Sequence, residues 1–305
     1  MRVLLKPADL LSVSFITLLS VSTVFAALPL VSRLRLFAVY SLLAIAAISL
    51  GIFHNRLRTE KQRFFLHVLL TTVTIVLIFN SLGDLIHGLR SRTYDDVLIR
   101  IDHFLFGVHP TVWLEQFITP ARTAIFQIAY SSYYFIPLSL GIVLIAKGKY
   151  TVFEEALFGI VLCFYLSYIG YLLVPAIGPR FTLDHVQTAG LQASPMIVVI
   201  QETLNGLEQN KTDAFPSGHT AVALITFFYA WKLGEKMLSR ILLPLVSTLI
   251  VATVYLRYHY VIDVIAGFLL AGLTIVLVPT MYKAFSASGR PSHQDCHGSS
   301  RKDGN

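Results

Sequence analysis

The sequence predicts an all-α polytopic membrane protein with about eight transmembrane helices. Of its 305 residues, 55% are hydrophobic and only 13% are charged, whereas soluble domains carry about 25% charged residues. The mean hydropathy is +0.69, and apolar runs long enough for a helix to cross a bilayer recur along the chain. The net charge of +7 is typical of basic residues that orient a membrane protein, so we predict no nucleic-acid partner.

Eight apolar segments have the length of a membrane-spanning helix. They cover residues 11–31, 35–53, 64–86, 121–146, 152–174, 218–233, 239–256 and 259–282. Because several connections between them are short, neighbouring helices are expected to run antiparallel. We predict an N-terminal pair of helices over residues 1–62 and a six-helix core over residues 63–283.

The first span has two interpretations. Arg2 and Lys6 precede an apolar run that ends in FAAL, a pattern shared with cleaved signal peptides. The length of the apolar run favours a retained transmembrane helix. Both interpretations leave the orientation of the remaining helices unchanged.

The distribution of basic residues predicts the orientation. With a cytoplasmic N-terminus and eight spans, most of the 24 lysines and arginines fall on the cytoplasmic side. Because loops rich in lysine and arginine stay in the cytoplasm, both termini are predicted to be cytoplasmic.

Residues 94–118 are not expected to cross the membrane. Apolar residues recur there at helical spacing: Val97, Leu98, Ile101, Phe104 and Leu105. Polar residues occupy the other face: Asp95, Asp96, Arg100, Asp102 and His103. This pattern indicates either a helix in the outer membrane interface or an ordinary loop helix packed on protein.

The C-terminal segment 284–305 is polar and poor in large apolar residues, which predicts a disordered tail. His293, Cys296 and His297 have metal-binding side chains, but a solvated tail is expected rather than a metal site. Cys163 lies in an apolar run far from this tail, so no disulfide is predicted.

Three polar motifs lie at the ends of predicted spans. PAIGPR (residues 175–180) follows the fifth span, FPSGH (215–219) begins the sixth, and YLRYHYVID (255–263) connects the seventh to the eighth. An alternating topology puts all three on the extracytoplasmic face. Three separated segments are therefore expected to form one site.

The FPSGH motif has the residues of an anion site at a helix N-terminus. Proline suits the first helical turn, and Gly218 lets a ligand approach the backbone. The first-turn amides, with the Ser217 hydroxyl as an added donor, favour an anion. His219 adds a group that exchanges a proton near neutral pH. The alternative is a helix cap beside an interfacial histidine.

In the third motif, His259 and Asp263 are four residues apart and share a helix face. A carboxylate that accepts a hydrogen bond from one imidazole nitrogen leaves the other nitrogen nucleophilic. The alternative is a polar pair that satisfies itself at a helix start. Arg180 and Arg257 match phosphate oxygens, or contact lipid headgroups. Together these groups provide what phosphoryl transfer through a phosphohistidine requires.

The sequence FPSGHTA followed by VYLRYHYVIDVIAG resembles the motifs of the type 2 phosphatidic acid phosphatase superfamily of membrane lipid phosphatases. The resemblance extends from about the third span to the eighth, and it is nearest to the branch that includes the inositol phosphorylceramide synthases. It implies that residues 63–283 are a six-helix phosphatase core.

The resemblance also implies residue roles. His259 would be the nucleophile, Asp263 its orienting partner and His219 the general acid. The phosphate would be bound by Ser217, the Gly218 N–H and Arg180. Members of the superfamily work without a metal, so no cofactor is expected.

The chain departs from the superfamily pattern at two of its motifs. Leu173 and Phe181 stand where the first motif has its lysine and its proline. Ala252 and Thr253 stand where the third motif begins with Ser-Arg. Two phosphate-binding cations are therefore missing, and Arg257 is the candidate replacement for one of them.

Three alternatives remain from sequence. Water as acceptor would give a phosphatase, whereas a lipid alcohol would give a headgroup transferase of the inositol phosphorylceramide synthase type. His219, His259 and Asp263 could instead hold a catalytic zinc ion. A lipid or anion transporter could use the same motifs without catalysis, although few polar residues lie at mid-membrane. The expected substrate is a phosphorylated lipid in the bilayer.

Overall fold

The structure is a computed structural model that describes residues 5–53, 59–207 and 210–288. Within these ranges the regular elements are helical, apart from an isolated parallel bridge between Ala176 and Asp213. The helices are α1 (Pro7–Phe25), α2 (Leu30–Phe53), α3 (Glu60–Leu89), α4 (Asp95–Phe106), α5 (Pro110–Trp113), α6 (Pro120–Ser131), α7 (Phe135–Ala146), α8 (Tyr150–Leu173), α9 (Pro179–Thr182), α10 (Pro195–Leu207), α11 (Gly218–Lys232), α12 (Lys236–Tyr255) and α13 (Val261–Ser288). Short 3₁₀ helices cover Leu114–Phe117 and Ser132–Tyr134.

The predicted all-α polytopic class is confirmed. In the described part of the chain, seven helical segments are long and apolar enough to cross a membrane: α1, α2, α3, α6 continued by α7, α8, α12 and α13. The remaining predicted span corresponds to α11, which has only 15 residues. It packs against α8, α12 and α13, so most of its side chains are buried within the bundle.

The ends of the first and last helices differ from the predicted limits. α1 begins at Pro7 and ends at Phe25, and α2 starts directly after Pro29, because proline suits the start of a helix. α13 extends to Ser288, so the first residues of the predicted tail 284–305 are helical. The rest of that tail, with its histidines and its cysteine, lies outside the described residues.

The predicted fourth span is interrupted in its middle by the 3₁₀ turn at Ser132–Tyr134. Pro137 has no amide hydrogen, so the carbonyl of Tyr133 loses its helical hydrogen-bond donor. Tyr130 lies just before this break and Tyr133 lies within it, and both rings contact His219 of α11. The interruption thus brings two aromatic side chains of this span to the FPSGH motif.

The N-terminal pair of helices is joined to the core by a polar cluster that the sequence did not indicate. His67 of α3 is almost fully buried, with Nδ1 3.1 Å from an Asp9 oxygen and Nε2 3.3 Å from a Glu154 oxygen. Lys6 also pairs with Glu154. Because these residues come from α1, α3 and α8, their ion pairs hold the first helix against the core.

The segment 94–118 is three short helices rather than one. Gly107 adopts a left-handed conformation with φ 71° and ends α4, as is common at helix C-termini. One face of α4 buries Asp95, Leu98 and Asp102 against the protein, whereas Phe104 is 86% exposed. The segment therefore has a packed face and an apolar exposed face, and its place in the membrane interface stays a prediction.

Candidate active site

The three polar motifs meet at one end of the bundle, as their predicted topology requires. The backbone amide of Ala214 donates to the carbonyl of Ala176 over 3.0 Å, and the amide of Ser217 donates to the carbonyl of Asp263 over 2.9 Å. These bonds connect the end of α8, the start of α11 and the start of α13. The second motif is therefore hydrogen-bonded through its backbone to both of the others.

A partly open pocket lies between these motifs. Four of the predicted site residues border it: Arg180, His219, Arg257 and His259. Other residues border it as well, of which Ile177 and Tyr258 belong to the motifs themselves: Tyr130, Ile177, Phe181, Asn210, Lys211, Asp213, Ala214 and Tyr258. Histidines and cations from four separate segments thus surround one cavity.

The two histidines lie side by side, although 40 positions separate them in the chain. Their ring centroids are 5.6 Å apart, with the rings in an edge-to-face arrangement. His219 comes from the first turn of α11 and His259 from the connection between α12 and α13. Both rings can therefore contact one tetrahedral anion bound in the pocket.

The position of His259 is set by a backbone carbonyl as well as by Asp263. Its Nδ1 lies 2.8 Å from the carbonyl oxygen of Ala214 and 3.6 Å from Asp263 Oδ2. A hydrogen on Nδ1 satisfies that carbonyl and leaves the lone pair on Nε2, as a nucleophile needs. The sequence had assigned this role to Asp263 alone, because a backbone acceptor 45 residues away leaves no pattern.

Asp263 has a second role at the start of α13. Its Oδ2 accepts a hydrogen bond of 2.8 Å from the amide of Tyr260, and its side chain is fully buried. A buried carboxylate this close to an imidazole favours the positively charged form of the ring. Asp263 can therefore both cap the helix and stabilise charge that develops on His259.

His219 is held between aromatic rings. The centroid of Tyr130 lies 4.6 Å away in a stacked arrangement, and that of Tyr133 lies 4.2 Å away. Only 9% of His219 is exposed. Because its orientation is restricted on two sides, the ring is suited to deliver a proton to one fixed point in the pocket.

Ser217 and Gly218 form the start of α11. The Ser217 hydroxyl accepts from the Thr220 amide over 3.3 Å and donates to the Thr220 hydroxyl over 3.0 Å. A Cβ added at Gly218 would lie 2.3 Å from the Tyr171 hydroxyl oxygen. The serine is thus a helix cap, and a larger residue at position 218 would require the Tyr171 side chain to shift.

The two predicted arginines differ in their surroundings. The Arg180 guanidinium lies 5.5 Å from the ring centroid of Tyr258. Arg257 donates from Nη1 to Gln187 over 2.9 Å and from Nη2 to Glu115 over 2.8 Å, and also to the Ala189 carbonyl. Its Nε has no hydrogen-bond partner among the described residues.

Arg257 keeps its charge despite its burial. Burial lowers the pKa of Arg257, and the neighbouring Glu115 carboxylate opposes that shift. Because the ordinary pKa of arginine lies far above neutral, the guanidinium stays protonated at physiological pH. Its ion pair with Glu115 nevertheless offsets part of the charge that a phosphate would meet.

Lys211 was missed by sequence reasoning. It lies between α10 and α11 and borders the pocket. A single lysine in a polar loop has no fixed spacing to any motif, so only the three-dimensional arrangement identifies it. Lys211 adds a cation to a site in which Leu173 and Thr253 stand at the positions where two cations were expected.

The described residues contain no group of three His, Cys, Asp or Glu side chains that could hold a metal ion. The zinc alternative required such a group from His219, His259 and Asp263. That alternative therefore lacks a ligand set in the part of the chain that the structure describes.

A family model described as the PAP2 superfamily matches residues 96–277. This segment contains all three polar motifs and covers more than half of the 305 residues. No curated protein and no solved structure matches the chain.

Proposed function

The chain belongs to the PAP2 superfamily, and on that basis we propose that it is a membrane lipid phosphatase or phosphotransferase that works through a phosphohistidine. The observation that carries this proposal is the 5.6 Å separation of the His219 and His259 rings beside one pocket with several cations. In this proposal one imidazole attacks a phosphorus atom while the other protonates the leaving oxygen.

The proposed reaction has two steps. In the first, His259 Nε2 forms a bond to phosphorus as the bond to the lipid oxygen breaks, and His219 donates a proton to that oxygen. In the second, water or an alcohol attacks the phosphohistidine, His219 accepts the proton, and the P–N bond breaks. Arg180 and the Gly218 amide are proposed to stabilise the equatorial oxygens, with Ser217 fixing the helix start.

The molecule that attacks the phosphohistidine distinguishes two candidate activities. Water gives a phosphatase, and a lipid alcohol gives a headgroup transferase of the inositol phosphorylceramide synthase type. Leu173 and Thr253, at the positions of two expected cations, favour the transferase, because a site with fewer cations suits a phosphodiester of lower charge. A transporter without catalysis is the outcome if no lipid is turned over.

Purified protein in phospholipid vesicles, supplied with phosphatidic acid, a polyprenyl phosphate or a phosphodiester lipid plus ceramide, tests the proposal. Free phosphate indicates a phosphatase, and a new lipid indicates a transferase. Each assay is repeated with a strong chelator, and we expect activity to persist. Absence of both products with every lipid would contradict the proposal.

We also propose that the pocket faces the extracytoplasmic side, with both termini in the cytoplasm. Basic residues at the opposite end of the bundle support this orientation. There, Lys147 and Lys149 donate hydrogen bonds to Glu235 and lower its pKa. Labelling of an Asp184→Cys variant by an impermeant thiol reagent in intact cells tests it, because Asp184 is exposed at the pocket end.

Replacing Asp263 by asparagine is expected to lower kcat by about 100-fold and to leave phosphate binding nearly unchanged. In serine proteases the equivalent change costs about 10⁴-fold because the histidine tautomer is lost. Here the Ala214 carbonyl, 2.8 Å from Nδ1, still fixes the tautomer, so mainly the stabilisation of positive charge disappears. Steady-state kinetics and inhibition by inorganic phosphate measure the two effects. An unchanged kcat would exclude this role for Asp263.

Replacing Arg257 by lysine is expected to lower kcat/KM by about tenfold or more, because one ammonium group cannot bridge Glu115 and Gln187 as the guanidinium fork does. The Nε–H, which has no partner among the described residues, is the donor proposed for a phosphate oxygen. The matched control is Arg100→Lys at an exposed position of α4. Equal kinetics in both variants would remove Arg257 from the proposed phosphate site.

A further inference from the structure

Helix α4 carries two buried carboxylates that the proposed reaction does not use. Asp95 and Asp102 are seven residues apart on one face of the helix, with 3% and 2% of their surfaces exposed. Asp96 lies between them in sequence and is exposed. Burying a carboxylate is costly unless hydrogen bonds compensate, so the partners of these two side chains are informative.

Asp95 connects the first and third motifs. Its Oδ1 accepts hydrogen bonds from the Gly178 amide over 2.9 Å and the Tyr260 hydroxyl over 2.9 Å. Both of its oxygens lie 3.1 Å from the Ile177 amide. Ile177 and Gly178 directly precede the segment of Arg180, and Tyr260 directly follows His259. One side chain is thus bonded to the backbone that carries the cation and to the neighbour of the nucleophile.

Asp102 binds the start of α13. Its Oδ2 accepts from the Val261 amide and its Oδ1 from the Ile262 amide, each over 2.8 Å. First-turn amides have no partner within their own helix. Since Asp263 binds the Tyr260 amide, three successive amides after His259 are held by carboxylates. The position of His259, the proposed nucleophile, therefore depends on the position of Asp102.

We infer that Asp95 and Asp102 are positioning residues of the active site: Asp95 sets the separation of the Arg180 and His259 segments, and Asp102 fixes the nucleophile on its helix. This inference rests on the proposed function. The residues act on the segments that they bind rather than on substrate. We therefore expect Asp95 to affect mainly phosphate binding and Asp102 to affect mainly the reaction rate. Loss of Asp95 displaces the phosphate-binding segment, and loss of Asp102 displaces His259.

Asparagine substitutions test the inference, because each replaces one acceptor oxygen by a donor that faces a backbone N–H. For Asp102→Asn we expect kcat to fall about 30-fold with KM within about threefold, since a small displacement of a reacting group is costly. For Asp95→Asn we expect the KM and the Kd of inorganic phosphate to rise about tenfold, with kcat within about threefold. Asp96→Asn on the same helix is the matched control and should behave as wild type.

Two outcomes would overturn the inference. One is an equal fall of kcat in both variants together with a lower unfolding temperature, which indicates a structural role. The other is kinetics like those of Asp96→Asn. If Asp95→Asn does not fold, Tyr260→Phe removes one bond to the same carboxylate and one to the Thr182 hydroxyl. Its KM should be about threefold higher than that of Thr182→Val, which keeps the bond to Asp95; an equal KM in these two variants contradicts the role of Asp95.

Binding of inorganic phosphate separates this inference from the proposed function, because it needs no turnover. If wild-type protein turns over no lipid, yet Asp95→Asn binds phosphate about tenfold more weakly than Asp96→Asn, Asp95 still positions an anion site and only the reaction is refuted. If turnover is normal and phosphate binding is equal in the two variants, the positioning role fails and the reaction stands.

Discussion

Replacing His259 by alanine is expected to abolish the phosphoenzyme and to lower lipid turnover by at least about 10⁴-fold. The imidazole is the group that would form the covalent bond. Its Nδ1 is bound to the Ala214 carbonyl, which directs Nε2 as the attacking atom. No water molecule that enters the vacated space would be oriented or activated equally well.

The measurement is trapping of labelled phosphate on the protein. Wild-type protein mixed with a ³²P-labelled lipid and quenched rapidly should carry label that is stable to base and labile to acid, as expected for phosphohistidine. His259→Ala should carry none. The matched control is His87→Ala, because His87 is an exposed histidine of α3 whose Nδ1 lies 2.6 Å from the carbonyl oxygen of Gly83 in its own helix. Label or turnover near the wild-type level in His259→Ala would refute the assigned nucleophile.

The helices were predictable because an apolar segment needs a minimum length to cross the bilayer as a helix. The differences arise where other forces act. α11 has only 15 residues, and most of its side chains are buried by neighbouring helices. Its apolar residues therefore reflect packing inside the bundle as well as contact with lipid. The break at Ser132–Tyr134 follows from Pro137, whose effect on the helix is local and is not visible in hydropathy.

The convergence of the three motifs was also predictable, because alternating spans place every second connection on the same side. Most contacts that shape the pocket were not. Arg257 and Glu115 are 142 positions apart, and Tyr260 and Asp95 are 165 apart. Pairs of this kind have no periodic pattern, and backbone acceptors such as Ala214 have no residue type that reveals them. Sequence therefore indicates candidate reacting groups, whereas the groups that hold them are visible only in the three-dimensional arrangement.

This difference matters for the role of Arg257. Its position two residues before His259 suggested a replacement for a missing cation, but three of its contacts join it to Glu115, Gln187 and Ala189. Lys211, which borders the same pocket, carries no such motif. The distribution of charge around the pocket is thus set by tertiary packing, and a count of basic residues in the motifs does not reveal it.

Replacing His219 by glutamine is expected to have an effect that depends on the leaving group. A lipid alkoxide is a poor leaving group and needs a proton from the general acid, whose contribution is about 10²–10⁴-fold. An aryl phosphate releases a stable phenolate and needs little help. We therefore expect lipid turnover to fall about 1,000-fold, whereas phosphorylation of the enzyme by p-nitrophenyl phosphate should slow less than about tenfold.

Rapid mixing makes this distinction measurable. With p-nitrophenyl phosphate, His219→Gln should release a burst of nitrophenolate equal to the enzyme concentration and then turn over slowly, because the second step still needs His219 to accept a proton. Tyr133→Phe is the matched control, since it keeps an aromatic ring beside His219, 4.2 Å away in the wild type. An equal loss with both substrates, and no burst, would mean that His219 supports packing or phosphate binding rather than proton transfer, and the general acid would have to be sought among the other groups that border the pocket.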